Sequence, residues 1–184
     1  MKNYLYPFVL IFGATIAACS PQSNQPTAPS HATHSAAQVS QYKVDLLTAI
    51  NNSDKIVVTE HSHPFDNWDD KSDKSLVPND IIYKSKEIAK GKKDDFLEIV
   101  NNLDGEVQQA YPMCIFQPHH TIQFFSKNRL LSTMEICFIC DHIRWTGSKA
   151  KPPLSLYTGL EEFLKENGFN SKRDWKSLAK NLEK

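Results

Sequence analysis

The chain carries no excess of charge: 21 Lys and Arg balance 21 Asp and Glu. Nor does it hold a basic patch interleaved with aromatic residues, so nothing in it recommends nucleic acid as a partner. Long apolar runs are missing as well. The sustained one, Tyr4 to Ile16, is too short and too rich in Gly, Ala and Thr for a spanning helix. No internal repeat is visible, and 184 residues fit one domain. Cysteine is sparse, with four in all, one of them near the N-terminus.

What is present at the N-terminus reads as an export signal. Lys2 is the charged flank, Tyr4 to Ile16 the apolar run, and Ile16-Ala17-Ala18-Cys19 the cleavage region. Small residues before a Cys at this position resemble the lipobox of bacterial lipoproteins. That resemblance implies removal of residues 1–18 and acylation of Cys19 at both its thiol and its amine. Several acyl chains hold a bilayer effectively permanently, because each buried CH₂ contributes ~0.8 kcal/mol. Ser20 follows the Cys, which by lipoprotein sorting implies the outer membrane, with the domain facing the periplasm. Such a compartment is oxidising and permits disulfides. Loss of the leader removes only Lys2, leaving 20 basic against 21 acidic residues, a net charge of −1. Residues 19–39, rich in Pro, Ser, Gln, Thr and Ala, offer little to bury and read as a disordered linker. His31 and His34 within it are expected to be solvated. Residues 40–184 form the globular domain.

The densest apolar alternation lies between Cys114 and Cys140. Two strands around a three-residue loop, Ser126-Lys127-Asn128, give a half-buried antiparallel hairpin. Phe125 then faces Arg129. One face reads Cys114, Phe116, Pro118, His120, Ile122 and Phe124 against Leu130 through Cys140 in steps of two, and is largely apolar. A two-residue loop would ask Lys127 for a positive φ and reverse one strand's faces. In the preferred register Cys114 opposes Cys140 on the apolar side, which suits a disulfide and leaves Cys137 as the odd thiol. A second reading is a zinc or copper site using Cys114, His119 or His120, Cys137 and Cys140. In a third, Cys137, His119 and Glu135 share the opposite surface as a thiol, imidazole and carboxylate.

These residues resemble a family of small exported bacterial proteins of undefined activity. Its members carry Cys-Phe-x-Pro-Arg-His, a short hairpin, then Ile-Cys-Phe-x-Cys and a C-terminal helix ending near a Gly-hydrophobic pair. The matches are Cys114, Pro118 and His120, then Ile136-Cys137-Phe138 and Cys140, with Gly168-Phe169 later. The likeness covers roughly residues 45 to 170. His119 stands where Arg is usual, and one extra residue separates Cys114 from Pro118. The resemblance implies a strand over Ile81 to Ala89 and no activity.

Elsewhere, Gln41 to Asn52 has helical spacing, and Lys55 to Ser62 alternates as a strand. His61 and His63 follow with Glu60, Asp66, Asp69 and Asp70 nearby, which reads as a polar strand end running into an acidic surface loop, Pro64 to Lys74, with a divalent-metal site as the alternative. Lys93 to Leu103 reads as a helix with Phe96, Leu97, Val100 and Leu103 on one stripe. Gly147 to Pro153 reads as a loop. Thr158-x-x-Glu161 has the form of a capping box opening a helix that ends at Asn167-Gly168, and Ser171-x-x-Asp174 that of a second. The last helix carries Trp175, Leu178, Ala179 and Leu182 on one side. The architecture expected is α+β: a small antiparallel sheet built on the central hairpin, packed against several helices. The function expected is that of a lipid-anchored binding or interaction module without cofactor, meeting an envelope protein. The alternative is zinc or copper binding through His61, His63, His119, His120 or Cys137.

Overall fold

The computed structural model describes residues 31–69, 71, 74–75, 81–109 and 114–181. The leader, Cys19, Asp70 and Leu182 lie outside the described residues. Helix α1 (His31–Asn52) leads to strand β1 (Lys55–His61), a 3-10 turn (Pro64–Asn67) and a ribbon of β2 (Trp68–Asp69) and β3 (Lys74–Ser75). Strand β4 (Ile82–Glu87) and helix α2 (Lys90–Asn101) follow. Then come β5 (His120–Ser126), β6 (Arg129–Cys137), β7 (His142–Trp145), α3 (Leu154–Glu166) and α4 (Trp175–Asn181). Five strands make one antiparallel sheet in the order β4-β1-β5-β6-β7, so the fold is α+β.

Alternation decides which face is inside. Ile56 and Val58 of β1, Ile122 and Phe124 of β5, and Met134 and Ile136 of β6 point into one core. Helices supply the other half at turn spacing: Tyr42, Leu46 and Ile50 from α1, Phe96 and Val100 from α2, Leu160, Phe163 and Leu164 from α3. Each such burial contributes on the order of 1.5–3 kcal/mol. Helices α2 and α3 approach closely at Gly159, where an added Cβ would meet the Ile99 side chain at 2.5 Å.

The central hairpin corrects the predicted register. Its loop has two residues, Lys127 and Asn128, at φ 50° and 62°, the conformation whose twist matches a tight hairpin. Asp54 makes this tolerable for Lys127 by accepting its N–H at 2.6 Å. Ser126 pairs with Arg129 and Phe125 with Leu130, but Phe124 pairs with Ser132. Leu131 is therefore a bulge residue, and the extra residue restores even parity to the rest of the ladder. A slip of two preserves every side chain's face, so the predicted inner set, His120, Ile122 and Phe124 with Ser132, Met134 and Ile136, is buried.

Strand β6 stops at Cys137 and not at Cys140. Residues 138–141 turn, Asp141 takes φ 48°, and β7 folds back along β6 between the predicted hairpin and the predicted loop. Tyr157 Oη holds the turn by donating to the Phe138 carbonyl at 2.7 Å. Cys114 and Cys140 are joined, with Cα atoms 5.9 Å apart, although Cys114 precedes β5 and Cys140 sits in the turn. Cys137 is the free thiol among the described residues and is fully buried. Non-reduced mature protein is expected to react at one thiol, and only after denaturation; two titratable thiols would contradict this pairing. Paired Cys114→Ser and Cys140→Ser changes remove a closed loop of 26 residues' separation. By loop-closure entropy that is expected to lower stability by about 3 kcal/mol in urea unfolding.

Other boundaries move for local reasons. Residues 31–39, expected as linker, are the start of α1: the Ala-rich run has good helix propensity. It is anchored where Ser35 Oγ accepts the Val107 N–H and Gln38 Oε1 accepts the Lys151 N–H. Helix α3 begins after Pro153, whose φ of −70° suits a helix start, so Thr158 and Glu161 are interior and form no capping box. Its predicted end is correct: Gly168 has φ 86° and the Phe169 N–H bonds the Leu164 carbonyl. Asp174 caps α4 by accepting the Ser177 N–H, while Ser171 turns away to Glu161. Gly91 lies in the first turn of α2.

Candidate functional site

The sheet topology joins two stretches that are separate in sequence. Strands β1 and β5 are neighbours, and Glu60 lies directly across from His120. Both side chains point to the core side at the end of the sheet where apolar residues stop, and both are buried. His120 Nε2 stands 3.6 Å from Glu60 Oε1. The C-terminal segment closes over them: the Asn170 N–H donates to Glu60 Oε1 at 2.6 Å, and Arg173 Nη2 lies 3.3 Å from Oε2.

A second pair sits beside the first. His63 caps the 3-10 turn, its Nδ1 accepting the Phe65 N–H while its own N–H donates to Asp66 Oδ2 at 2.8 Å. This reciprocal cap turns Asp66 inward, away from the acidic surface loop predicted for it. Its Oδ1 meets His119 Nε2 at 2.6 Å with both groups almost fully buried. Trp175 lies flat on the His119 ring, centroids 4.3 Å apart and planes within 5°. It meets His120 edge-on and stacks on Tyr83.

Burial sets the charge states. It pushes the His120 imidazole below its ordinary range against the pull of Glu60. It does the same to His63, helped by neighbouring His119 and opposed by Asp66. For Glu60 burial acts upward, but His120, the Asn170 N–H and the Arg173 charge outweigh it and hold the carboxyl below the usual carboxylate range. His63 and His120 are thus held toward the neutral form, beside a carboxylate facing a guanidinium. It is also incompletely paired. Among the described residues, the buried side-chain polar atoms without a hydrogen-bond partner are Glu60 Oε2, His61 Nε2, Tyr83 Oη, His120 Nε2 and Arg173 Nε, with Tyr42 Oη elsewhere in the core. Each unmade bond costs roughly 1–3 kcal/mol.

The sequence-based alternatives fall out differently. His61, His63, His119 and His120 do converge on one end of the sheet, and Glu60 and Asp66 with them. Asp70 and the side chain of Asp69 lie outside the described residues. Among the described residues no three His, Cys, Asp or Glu side chains are placed to hold one ion. The cysteine-centred metal set is not assembled, because Cys114 and Cys140 are joined to each other. The surface proposed for Cys137, His119 and Glu135 is not formed either: Glu135 opposes Thr121 and Arg144, and His119 turns to Asp66. Tyr83, Asn170, Arg173 and Trp175 were not legible as site residues. A Trp on a short capped helix is the one signal that could have marked them.

Comparison with family models, with curated proteins and with solved structures finds no match.

Proposed function

We propose that the protein is a lipid-anchored envelope protein, acylated at Cys19, whose domain is a binding or interaction module and not an enzyme. The observation that carries the non-enzymatic reading is Trp175. It lies flat over His119, the histidine most like a general base by its carboxylate partner, and seals it under the C-terminal segment. Glu60, His119 and His120 are spent on holding that segment down at Asn170, Arg173 and Trp175. The lipobox spelling Ile16-Ala17-Ala18-Cys19 and the disulfide between Cys114 and Cys140 support export to an oxidising compartment.

Two measurements test this. Full-length protein in cells is expected to fractionate with membranes and to carry acyl mass at the mature N-terminus, whereas Cys19→Ala is expected to remain unprocessed and unacylated. Identical masses for the two would remove the anchor. Crosslinking in intact envelopes is expected to capture a protein partner. Stoichiometric zinc or copper in untagged protein, lost together with the fold on chelation, would favour the metal-binding alternative.

A further inference from the structure

We propose that the domain stands on the bilayer with the pole bearing Ile115, Ile139 and Leu154, and that this apolar surface contacts lipid. The inference rests on acylation at Cys19. The three residues are 62%, 65% and 38% exposed, high for large aliphatic side chains. They converge through bonds already described. Ile139 is in the turn after β6, Ile115 is brought beside it by the Cys114–Cys140 bridge, and the Cys140 Sγ contacts the Ile115 carbonyl. Leu154 is one helical turn from Tyr157, which bonds the same turn at Phe138.

The chain's own path points this pole at the membrane. Helix α1 runs the length of the domain. Its far end meets the hairpin tip, where the Asp54 N–H bonds the Phe125 carbonyl and Asp54 Oδ2 accepts the Lys127 N–H. Its start meets Val107 through Ser35, and Val107 bridges to Pro153, next to Leu154. The described chain begins at His31, on that same pole. From Cys19 to His31 the tether covers 12 residues, which reach roughly 40 Å at most however they are arranged. Seating the domain on its hairpin tip would require the tether to double back along α1, about 33 Å for 22 residues. That consumes nearly all of its reach, whereas the opposite orientation consumes almost none.

Charge does not compete with this reading. Arg144 is occupied over the Phe116 ring at 4.0 Å, and Asp141, Glu106 and Lys151 are all exposed. The signs are mixed, so the contact is apolar and its strength is expected to be insensitive to salt.

The test places the photo-crosslinker benzoylphenylalanine at 139, 154 or 130 in the full-length protein expressed in cells. Leu130, 47% exposed at the hairpin tip, is the control of equal chemistry at the other pole. Illumination is expected to give phospholipid adducts, read by mass, at 139 and 154 and none above background at 130. Adducts to a second copy or to another protein at 139 and 154, or equal lipid labelling at all three sites, would overturn the inference. Intact mass of the same samples reports acylation of Cys19 independently. An acylated chain without polar asymmetry sinks this inference alone, and an unacylated chain sinks the anchor and this inference together.

Discussion

Replacing Glu60 with Ala is expected to lower folding stability by about 3–5 kcal/mol, because it breaks a buried charge cluster by removing one partner. That is a large share of the roughly 5–15 kcal/mol available to a domain of this size. The carboxylate does three things at once. It accepts the Asn170 N–H, faces Arg173, and stands across from His120 on the neighbouring strand. Ala leaves the amide without an acceptor and leaves a guanidinium, one-third exposed at its side chain, without a counter-charge. Glu60→Gln separates the contributions: it keeps an oxygen for Asn170 and gives up only the charge, so about half the loss is expected. Urea unfolding of the two variants decides. Equal losses would mean that the negative charge alone carries the effect, and no loss in either would mean that the C-terminal segment is not held by Glu60.

Why this cluster escaped the sequence is physical. Its acidic and imidazole members were visible as two constellations, Glu60 to Asp66 and His119-His120. Their junction depends on β1 pairing with β5, strands separated by β4 and α2, and no local pattern encodes which strand lies beside which. Arg173 and Trp175 arrive from farther still. What was legible was periodic: the inward set of the central hairpin is fixed by alternation and survived an error of two in register. The Cys114–Cys140 pairing emerged correctly from a geometry that was only partly correct. Phe138-Ile139 between the cysteines contains neither Gly nor Pro, so nothing local spells a turn before Cys140. The turn there is imposed from outside, by Tyr157 on Phe138 and by Gln108, whose Oε1 accepts the Ile143 N–H at 2.8 Å. The start of α3 fails for the opposite reason. A capping-box spelling at Thr158 is a local signal, overridden by Leu156 and Leu160 in the core.

Trp175→Ala is expected to cost about 3–5 kcal/mol at neutral pH and, more tellingly, to flatten the protein's response to acid. His63 and His120 are both held below their ordinary pKa in the fold, chiefly by burial. Above about pH 6.5 both are neutral whether folded or not, and they contribute nothing to the pH dependence. Below it the unfolded chain takes up protons that the folded chain refuses, so folding stability falls as pH falls. The ceiling on that slope is about 1.4 kcal/mol per pH unit for each histidine. Glu60, Glu161 and Asp174, held below the usual carboxylate range, act with the same sign further down: their stabilisation is present above the unfolded carboxylate pKa and is lost as pH falls through the folded one. His142, also held low by burial and by Arg144, adds to the first window. Trp175 is the ring that keeps water from His119 and His120. Without it the His120 imidazole is hydrated, its pKa returns toward the ordinary value, and the difference in proton uptake between folded and unfolded chains shrinks. Urea unfolding at about pH 7.5 and about pH 5.5 reads this out as the interval between two midpoints, a window in which histidine is the side chain that titrates. The interval is expected to be widest in the native chain and narrower in both Trp175→Ala, which hydrates the His120 ring, and His120→Asn, which removes it. A native chain equally stable at both pH values would mean that His63 and His120 take up protons as readily in the fold as in the unfolded chain, and that Trp175 is not a dry seal.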